Sequence, residues 1–240
     1  MATPQSILPI TELAARNNAG WYRLMFAAHG IPHSCSANLW KALGKPPRYH
    51  SWGVTLRQGL EPLAEVLDLQ RGADGPRGIK DSFDCLDLHP HGMTTLFTAQ
   101  WIHRRASSVE MAAEYRRLET DAELLAWEAA WAEGDADAKN HPRQFPPSLL
   151  DRADVAFISC LQNRRMVGGC ILNQTDTVVG ISNLFATGVP FAAVFAKCIA
   201  AASEYFPGRD IVGYERGELL AAAIEAGFLP VGTLRVWTSK

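Results

Sequence analysis

The chain has 240 residues, which fits one domain with an added lobe better than two full domains. Hydrophobic residues make up 48% and charged residues 20%, a globular composition that excludes a disordered or fibrous protein. The net charge of −2 gives no basic surface for nucleic acid or anionic lipid, so neither is an expected partner.

The cysteines, the N-terminal residues and the length of the most apolar segment together indicate a cytoplasmic protein. The five cysteines form no Cys-x-x-Cys pair, and Cys160, Cys170 and Cys198 stand inside apolar runs, as reduced buried thiols do. The N-terminal residues lack the pattern of a signal peptide. The most apolar segment, 189–202, contains Lys197 and is too short to span a bilayer.

The first third of the chain predicts a helix, a strand and a second helix. Apolar residues recur at helical spacing over 11–29, where a Gly-Ile-Pro stop follows. A strand is predicted over 51–56 and a short helix over 61–69, before a segment rich in glycine and charge at 70–78. We expect this segment to separate an N-terminal lobe, 1–78, from a domain over 79–240.

A hairpin is predicted at the start of that domain, over 82–102. Apolar and polar residues alternate in Ser82–Leu88, which is typical of a half-buried strand, and Met93–Ile102 is its expected partner. The turn would be His89–Gly92. Asp87, His89 and His91 have a spacing that could hold a metal, but no fourth ligand is evident and we expect none to bind.

The remaining elements alternate between helices and strands. The capping boxes Ser107-x-x-Glu110 and Thr120-x-x-Glu123 predict helices over 108–118 and 121–132. The later predictions are strands over 154–161, 167–173 and 177–185 in an antiparallel meander, a helix over 191–205, a strand over 211–215, a helix over 218–226, and a strand pair or one bent strand over 229–237. This order favours an α/β or α+β domain whose sheet is flanked by helices.

The order of elements from Met93 to Trp237 resembles the GNAT superfamily of acyl-CoA-dependent N-acyltransferases, as does the helix-Gly-Phe-strand ending at Ala226–Trp237. Three stretches are similar to an uncharacterised bacterial GNAT-like family with an N-terminal extension: Lys80-Asp-Ser-Phe, Gly180-Ile-Ser-Asn-Leu-Phe and Val212-Gly-Tyr-Glu-Arg-Gly. The resemblance implies a central, mostly antiparallel mixed sheet flanked by helices, with an N-terminal helical and β lobe. It implies acetyl-CoA or another acyl-CoA as co-substrate and assigns no acceptor.

The resemblance also implies where the acyl donor binds. The strand before the main helix splays from its neighbour and holds pantetheine, and a Gly-rich loop then binds the pyrophosphate at a helix N-terminus. Here that loop is Phe185-Ala-Thr-Gly-Val-Pro190, with one glycine, no basic residue and a proline that has no N–H to donate. The implied donor contacts are Ser182, Asn183, Leu184, Phe185, Thr187 and Gly188.

Two neighbouring residues are the candidate catalytic groups. Glu215 ends a predicted strand at the cleft and could accept a proton from an amine; alternatively, it is a loop carboxylate that caps the next helix. Tyr214 could act as the acid or simply pack in the core. The family's usual acid, a tyrosine in the last helix, is missing, since residues 218–226 contain no tyrosine.

Other polar residues leave two interpretations open. Ser182 and Asn183 interrupt an apolar strand, so they either contact a ligand or form a strand bulge with local hydrogen bonds. Asp81, Asp84 and Asp87 form either a solvated sheet face or an acidic wall that binds an amine.

The sequence therefore predicts an acyl-CoA-dependent N-acyltransferase that acts on the amine of a small molecule or peptide. One alternative is an inactive GNAT-like protein that binds a ligand or partner. Another is an acyltransferase whose acyl group comes from a carrier. The apolar content also permits a homodimer.

Overall fold

A computed structural model describes residues 8–71, 75–107, 114–133 and 142–239. The helices in these ranges are α1 (Ile10–Ala28), α2 (Leu63–Gln70), α3 (Asp121–Trp131), α4 (Phe191–Tyr205) and α5 (Gly217–Glu225). The strands are β1 (His33–Cys35), β2 (Leu39–Ala42), β3 (Gly53–Thr55), β4 (Gly78–Asp81), β5 (Met93–Arg104), β6 (Tyr115–Arg117), β7 (Val155–Gln162), β8 (Arg165–Thr175), β9 (Val178–Ala186), β10 (Asp210–Glu215) and β11 (Leu229–Ser239).

All of these strands belong to one sheet, in the order β1-β2-β3-β4-β11-β5-β10-β9-β8-β7-β6. Neighbouring strands are antiparallel except for the pairs β3–β4 and β9–β10. Helices lie on both faces, so the structure confirms the predicted α/β architecture with a mostly antiparallel mixed sheet. It also confirms the meander β7–β8–β9 and the single bent form of the last strand, β11, whose register shifts between Pro230 and Gly232.

Alternation along the strands divides the core into two layers. In β7, Ala156 and Ile158 pack with α4 and α5, whereas Val155 and Phe157 pack with α1 and α3 on the opposite face. Successive strand residues point to opposite faces of a sheet, so both helical layers find apolar side chains to cover. Strands β7 and β8 are consequently buried on both sides over most of their length.

A pair of amides fixes α1 against the middle of the sheet. Asn17 Nδ2 donates to the carbonyl of Asn173, at 3.0 Å, and to Thr175 Oγ1, at 2.8 Å. A Cβ atom on Gly180 would lie 2.0 Å from Asn17 Oδ1, so the strand needs glycine at this position. The helix of the predicted N-terminal lobe thus covers β8, β9 and β10, and β1–β3 extend the same sheet; the boundary after residue 78 stays a prediction.

The predicted hairpin over 82–102 is wrong in its first half. Ser82–Leu88 forms turns and irregular chain, because the carboxylate of Asp81 accepts the backbone N–H groups of Phe83 and Leu86 and folds the chain back. The second half, β5, is a strand as predicted, but it pairs with β11 and β10. The interpretation of Asp81, Asp84 and Asp87 as one strand face fails with it.

The capping box at Thr120 and Glu123 is confirmed at the start of α3. The predicted helix over 108–118 is wrong at its end, where β6 forms the edge strand of the sheet and pairs with β7. Its first residues, 108–113, including Glu110 of the other capping box, lie outside the described residues. None of the described helices is long and apolar enough to cross a membrane.

Candidate active site

The parallel strands β9 and β10 separate from each other halfway along their length. They pair only from Val178 to Gly180 and from Asp210 to Val212. Beyond this point β10 stays with β5 as far as Glu215, while β9 stays with β8 as far as Ala186. The sheet therefore opens between them, and the backbone of β9 after Gly180 has no strand partner on its β10 side.

A bulge in β9 accompanies the opening. Asn183 has a left-handed φ of 52°, and the register with β8 shifts beside it. Its Nδ2 donates to Ser182 Oγ at 3.1 Å. The interpretation of Ser182 and Asn183 as a strand bulge is thus confirmed, and bulges of this kind are common beside active sites because they turn side chains in a new direction.

A cavity of about 200 Å³ occupies the opening. Its walls come from β9 (Ser182, Asn183, Leu184), from β10 (Tyr214, Glu215), from α1 and from the segment around His50. The volume equals that of about seven liquid water molecules. The structure therefore brings both candidate catalytic residues and three of the six candidate donor contacts around one small space.

Glu215 stands at the end of β10 without a hydrogen-bond donor. No residue in the described parts of the chain donates to its carboxylate or forms an ion pair with it. Burial raises its pKa to about 8, because removing a carboxylate from water disfavours the charged form. A carboxyl group whose pKa lies near neutrality can both accept and release a proton under physiological conditions.

Tyr214 reaches the cavity from the neighbouring position and contacts a buried lysine. Lys80 is 2% exposed, and its Nζ donates to Tyr214 Oη at 3.1 Å and to Asn18 Oδ1 at 2.9 Å. The same ammonium lies 4.2 Å from the centre of the Tyr214 ring and 5.0 Å from that of Tyr22. None of the ion pairs with Asp or Glu within the described ranges includes Lys80, so its contacts are to an amide oxygen and to the two tyrosines.

Lys80 remains charged in this setting. Burial alone would lower its pKa, but the charge interactions and hydrogen bonds with Tyr214 and Tyr22 raise it overall. An ammonium can only donate hydrogen bonds. The phenol oxygen of Tyr214 therefore accepts from Lys80, and the phenol hydrogen is directed elsewhere.

His50 forms another part of the wall. Burial lowers its pKa to about 4, so its imidazole is neutral. The ring packs edge-on against Tyr22, with 4.7 Å between ring centres, and its Nδ1 lies 3.0 Å from the carbonyl oxygen of Arg48. The cavity thus contains a neutral imidazole as well as the carboxyl and phenol groups.

The other candidate donor contacts lie along the exit from the cavity. Phe185 packs its ring on Trp127, with 5.1 Å between ring centres, so only its backbone faces the opening. The backbone N–H of Thr187 donates to the Val167 carbonyl, which leaves the exposed side chain to contact a ligand. Gly188 has a φ of 71°, and an added Cβ would meet no atom within 4 Å, so the loop before α4 is open.

Known structures share the fold of this chain, although no family model matches its sequence and no curated protein does. The chain is similar to a GCN5-related N-acetyltransferase from Kribbella flavida, with a TM-score of 0.63 over 97% of this chain and 96% of that one, at 15% identity. A GNAT-family protein from Novosphingobium aromaticivorans has a TM-score of 0.57 over 94% and 98% of the two chains, at 12% identity. This chain has the GNAT fold. A conserved protein of unknown function from Staphylococcus epidermidis shares it, with a TM-score of 0.65 over 86% and 92%, at 10% identity.

The remaining sequence candidates lie away from the splayed strands of this GNAT fold. His89 bonds Asp87 at 3.0 Å and packs against Trp237, and the described residues contain no cluster of three metal-binding side chains. Cys160 and Cys198 are buried free thiols with 3.6 Å between their sulfur atoms. A larger cavity of about 560 Å³ lies beside α3, and Trp131 and Arg143 are among the residues that line it.

Sequence reasoning missed the residues that approach the cavity from the N-terminal part of the chain. Lys80, His50 and Asn18 belong to β4, to a loop and to α1, and they meet only because α1 lies across the sheet. One signal was present: Asn17 and Asn18 interrupt the buried face of a helix that is otherwise apolar there. Buried amides need partners, so such a pair points to a polar site beneath the helix.

Proposed function

We propose that this protein is an acyl-CoA-dependent N-acyltransferase that acts on a small amine, with Glu215 as the general base. The observation that carries the proposal is the unpaired carboxyl group of Glu215, with its raised pKa, at the splayed end of β9 and β10. The GNAT fold supports the reaction class. The small size of the cavity favours a small molecule over a peptide as acceptor.

In this proposal the acceptor amine loses its proton to Glu215, either directly or through one water molecule. The neutral amine then attacks the thioester carbonyl and a C–N bond forms. As the C–S bond breaks, the thiolate takes up the proton of Tyr214, and the nitrogen of the new amide gives its second proton to the phenolate, so CoA leaves as the thiol. With a pKa of about 8, Glu215 is a strong enough base to take up this proton and a strong enough acid to release it afterwards.

Tyr214 would return a proton to the departing thiolate. Lys80 holds the phenol oxygen by donating to it, so the phenol hydrogen is free to point into the cavity. This assigns to β10 the acid that other members of the superfamily carry on the last helix. It explains how α5, which has no tyrosine, is compatible with acyl transfer.

The acyl donor would lie along the open side of β9. Backbone groups of Ser182–Phe185 have no strand partner on the β10 side and could bind the amides of pantetheine. The pyrophosphate would then reach Gly188 and the N-terminus of α4, a helix of 15 residues whose dipole favours an anion.

Calorimetric titration with acetyl-CoA, and with a longer acyl-CoA, tests the donor site. We expect binding in the wild type and a large loss of affinity in Gly188→Glu, because the new charge repels the phosphates and a side chain strains the left-handed loop. Gly208→Glu is the matched control, since Gly208 has a φ of 72° and an added Cβ also meets no atom within 4 Å.

The reaction is tested by following CoA release with a panel of primary amines. Release that requires both an amine and Glu215 supports acyl transfer. Binding of acyl-CoA without transfer to any amine would favour the second candidate, an inactive GNAT-like binding protein, which the reduced phosphate loop with its single glycine supports. Absence of binding would exclude acyl-CoA as donor and leave a carrier-bound acyl group.

A further inference from the structure

The imidazole of His50 has one nitrogen whose role is fixed and one that is free. A carbonyl oxygen can only accept, so the 3.0 Å contact between His50 Nδ1 and the Arg48 carbonyl requires the hydrogen on Nδ1. The neutral ring then carries a lone pair on Nε2. Gln144 Nε2 lies 3.4 Å from the same Nδ1 and donates to the Arg48 carbonyl at 2.9 Å. The shorter contact of 3.0 Å between Nδ1 and the carbonyl oxygen decides the assignment, because two acceptors would repel each other at that distance.

The lone pair on His50 Nε2 is unused inside the protein. No described residue donates a hydrogen bond to it, yet it is not among the sealed, unsatisfied atoms of the interior. The ring is otherwise enclosed, with Tyr22 and Phe26 packed edge-on against it. The open space that His50 lines is the 200 Å³ cavity that also contains Glu215.

We infer that the acceptor is a small primary amine that carries a second hydrogen-bond donor, such as a hydroxyl group, and that His50 Nε2 accepts from this donor. The inference rests on the proposed function and adds the substrate class to it. Glu215 would receive the proton of the reacting amine, while His50 would select the other end of the molecule. A neutral acceptor in an enclosed site discriminates strongly, since a bound analogue without the donor leaves the lone pair unpaired.

Three matched series of amines test this inference. Amino alcohols from ethanolamine to 5-aminopentanol offer a hydroxyl donor at increasing distances from the amine. Methoxyalkylamines of the same length have the oxygen without the donor, and alkylamines have neither. For at least one chain length, we expect kcat/KM for the amino alcohol to exceed that of both analogues by about tenfold.

Substitution of His50 shows whether this residue causes the preference. In His50→Phe the ratio of amino alcohol to methoxyalkylamine should fall towards one, whereas His50→Gln, whose side-chain oxygen still accepts, should keep part of it. His91→Phe, in an exposed turn, is the matched control and should keep the wild-type ratio. A ratio near one in the wild type, or a ratio that His50→Phe leaves unchanged, would overturn the inference.

Direct binding separates this inference from the proposed function. If no amine is acylated, the same three series are titrated calorimetrically into the wild type and His50→Phe. If an amino alcohol binds more tightly than its analogues and this preference is lost in His50→Phe, the acceptor role of His50 is supported and only the acyl-transfer proposal fails. Equal binding of the three series, or none, would overturn the inference. Thermal unfolding of each variant establishes that it is folded.

Discussion

Two strands of this protein end in a carboxyl group, and the two groups have different surroundings: Asp81 is fully buried, whereas Glu215 is partly exposed. Asp81 ends β4 and Glu215 ends β10. Burial raises the pKa of both. Asp81 receives hydrogen bonds from the backbone of Leu86 and Phe83 and from the Thr55 hydroxyl, at 2.8, 3.3 and 3.4 Å. Glu215 receives none within the described residues.

The difference separates a carboxylate with a structural role, Asp81, from the one that we propose to be reactive, Glu215. The donors around Asp81 stabilise its charged form and offset part of the effect of burial, and they use the carboxylate to shape a turn. Glu215 has only the effect of burial, and its carboxyl group is left facing a cavity. A carboxyl group with a raised pKa and no hydrogen-bond donor among the described residues is thus a better indication of function here than a raised pKa by itself.

The largest expected effect is the loss of activity in Glu215→Gln. Glutamine has the same shape but does not accept a proton, so we expect kcat to fall about 100- to 10,000-fold while the protein stays folded. Steady-state rates of CoA release measure this. Glu218→Gln, in the exposed first turn of α5, is the control. Retention of wild-type activity in Glu215→Gln would show that another group is the base.

Asp81→Ala should instead affect stability. The substitution removes the acceptor of two backbone N–H groups in the turn after β4, and buried donors without partners cost about 1–3 kcal/mol. Urea unfolding, followed by tryptophan fluorescence, gives the change in the free energy of unfolding. A change below about 0.5 kcal/mol would show that water replaces the carboxylate and that the turn does not depend on it.

The smallest expected effect in this comparison is a dependence of the free energy of unfolding on pH. The folded protein favours neutral Glu215, so the stabilisation that this group provides is fully present below its ordinary pKa of 4.5 and is lost as the pH rises through about 8. Glu215→Gln should remove this loss, which the difference between the two unfolding curves at pH 6 and pH 9 measures. Activity should rise over the same range, as Glu215 becomes charged. Parallel stability curves would contradict the raised pKa.

The sequence predicted the part of the site that consecutive residues build. Glu215 and Tyr214 end a strand with clear apolar character, and Ser182 and Asn183 interrupt another, so both strands and their polar residues could be located. The GNAT fold was predicted from the order of the elements after Met93, and the structure confirms it.

The rest depends on contacts between distant segments. A lysine is expected at the surface, so nothing in the sequence marks Lys80 as a buried partner of Tyr214, 134 residues away. Apolar and polar residues do alternate in Ser82–Leu88, but this segment is not a strand. The carboxylate of Asp81 accepts backbone N–H groups that a strand would use to pair with its neighbour. His50 lies in a loop whose path no periodicity describes.

The short pairing between β9 and β10 has a mechanical consequence. Three residue pairs join one half of the sheet, β6–β9, to the half formed by the other seven strands. The candidate donor contacts of β9 lie in one part of the sheet, and the candidate base of β10 lies in the other. Because α1 packs against strands of both parts, the position of this helix sets the width of the cleft between them.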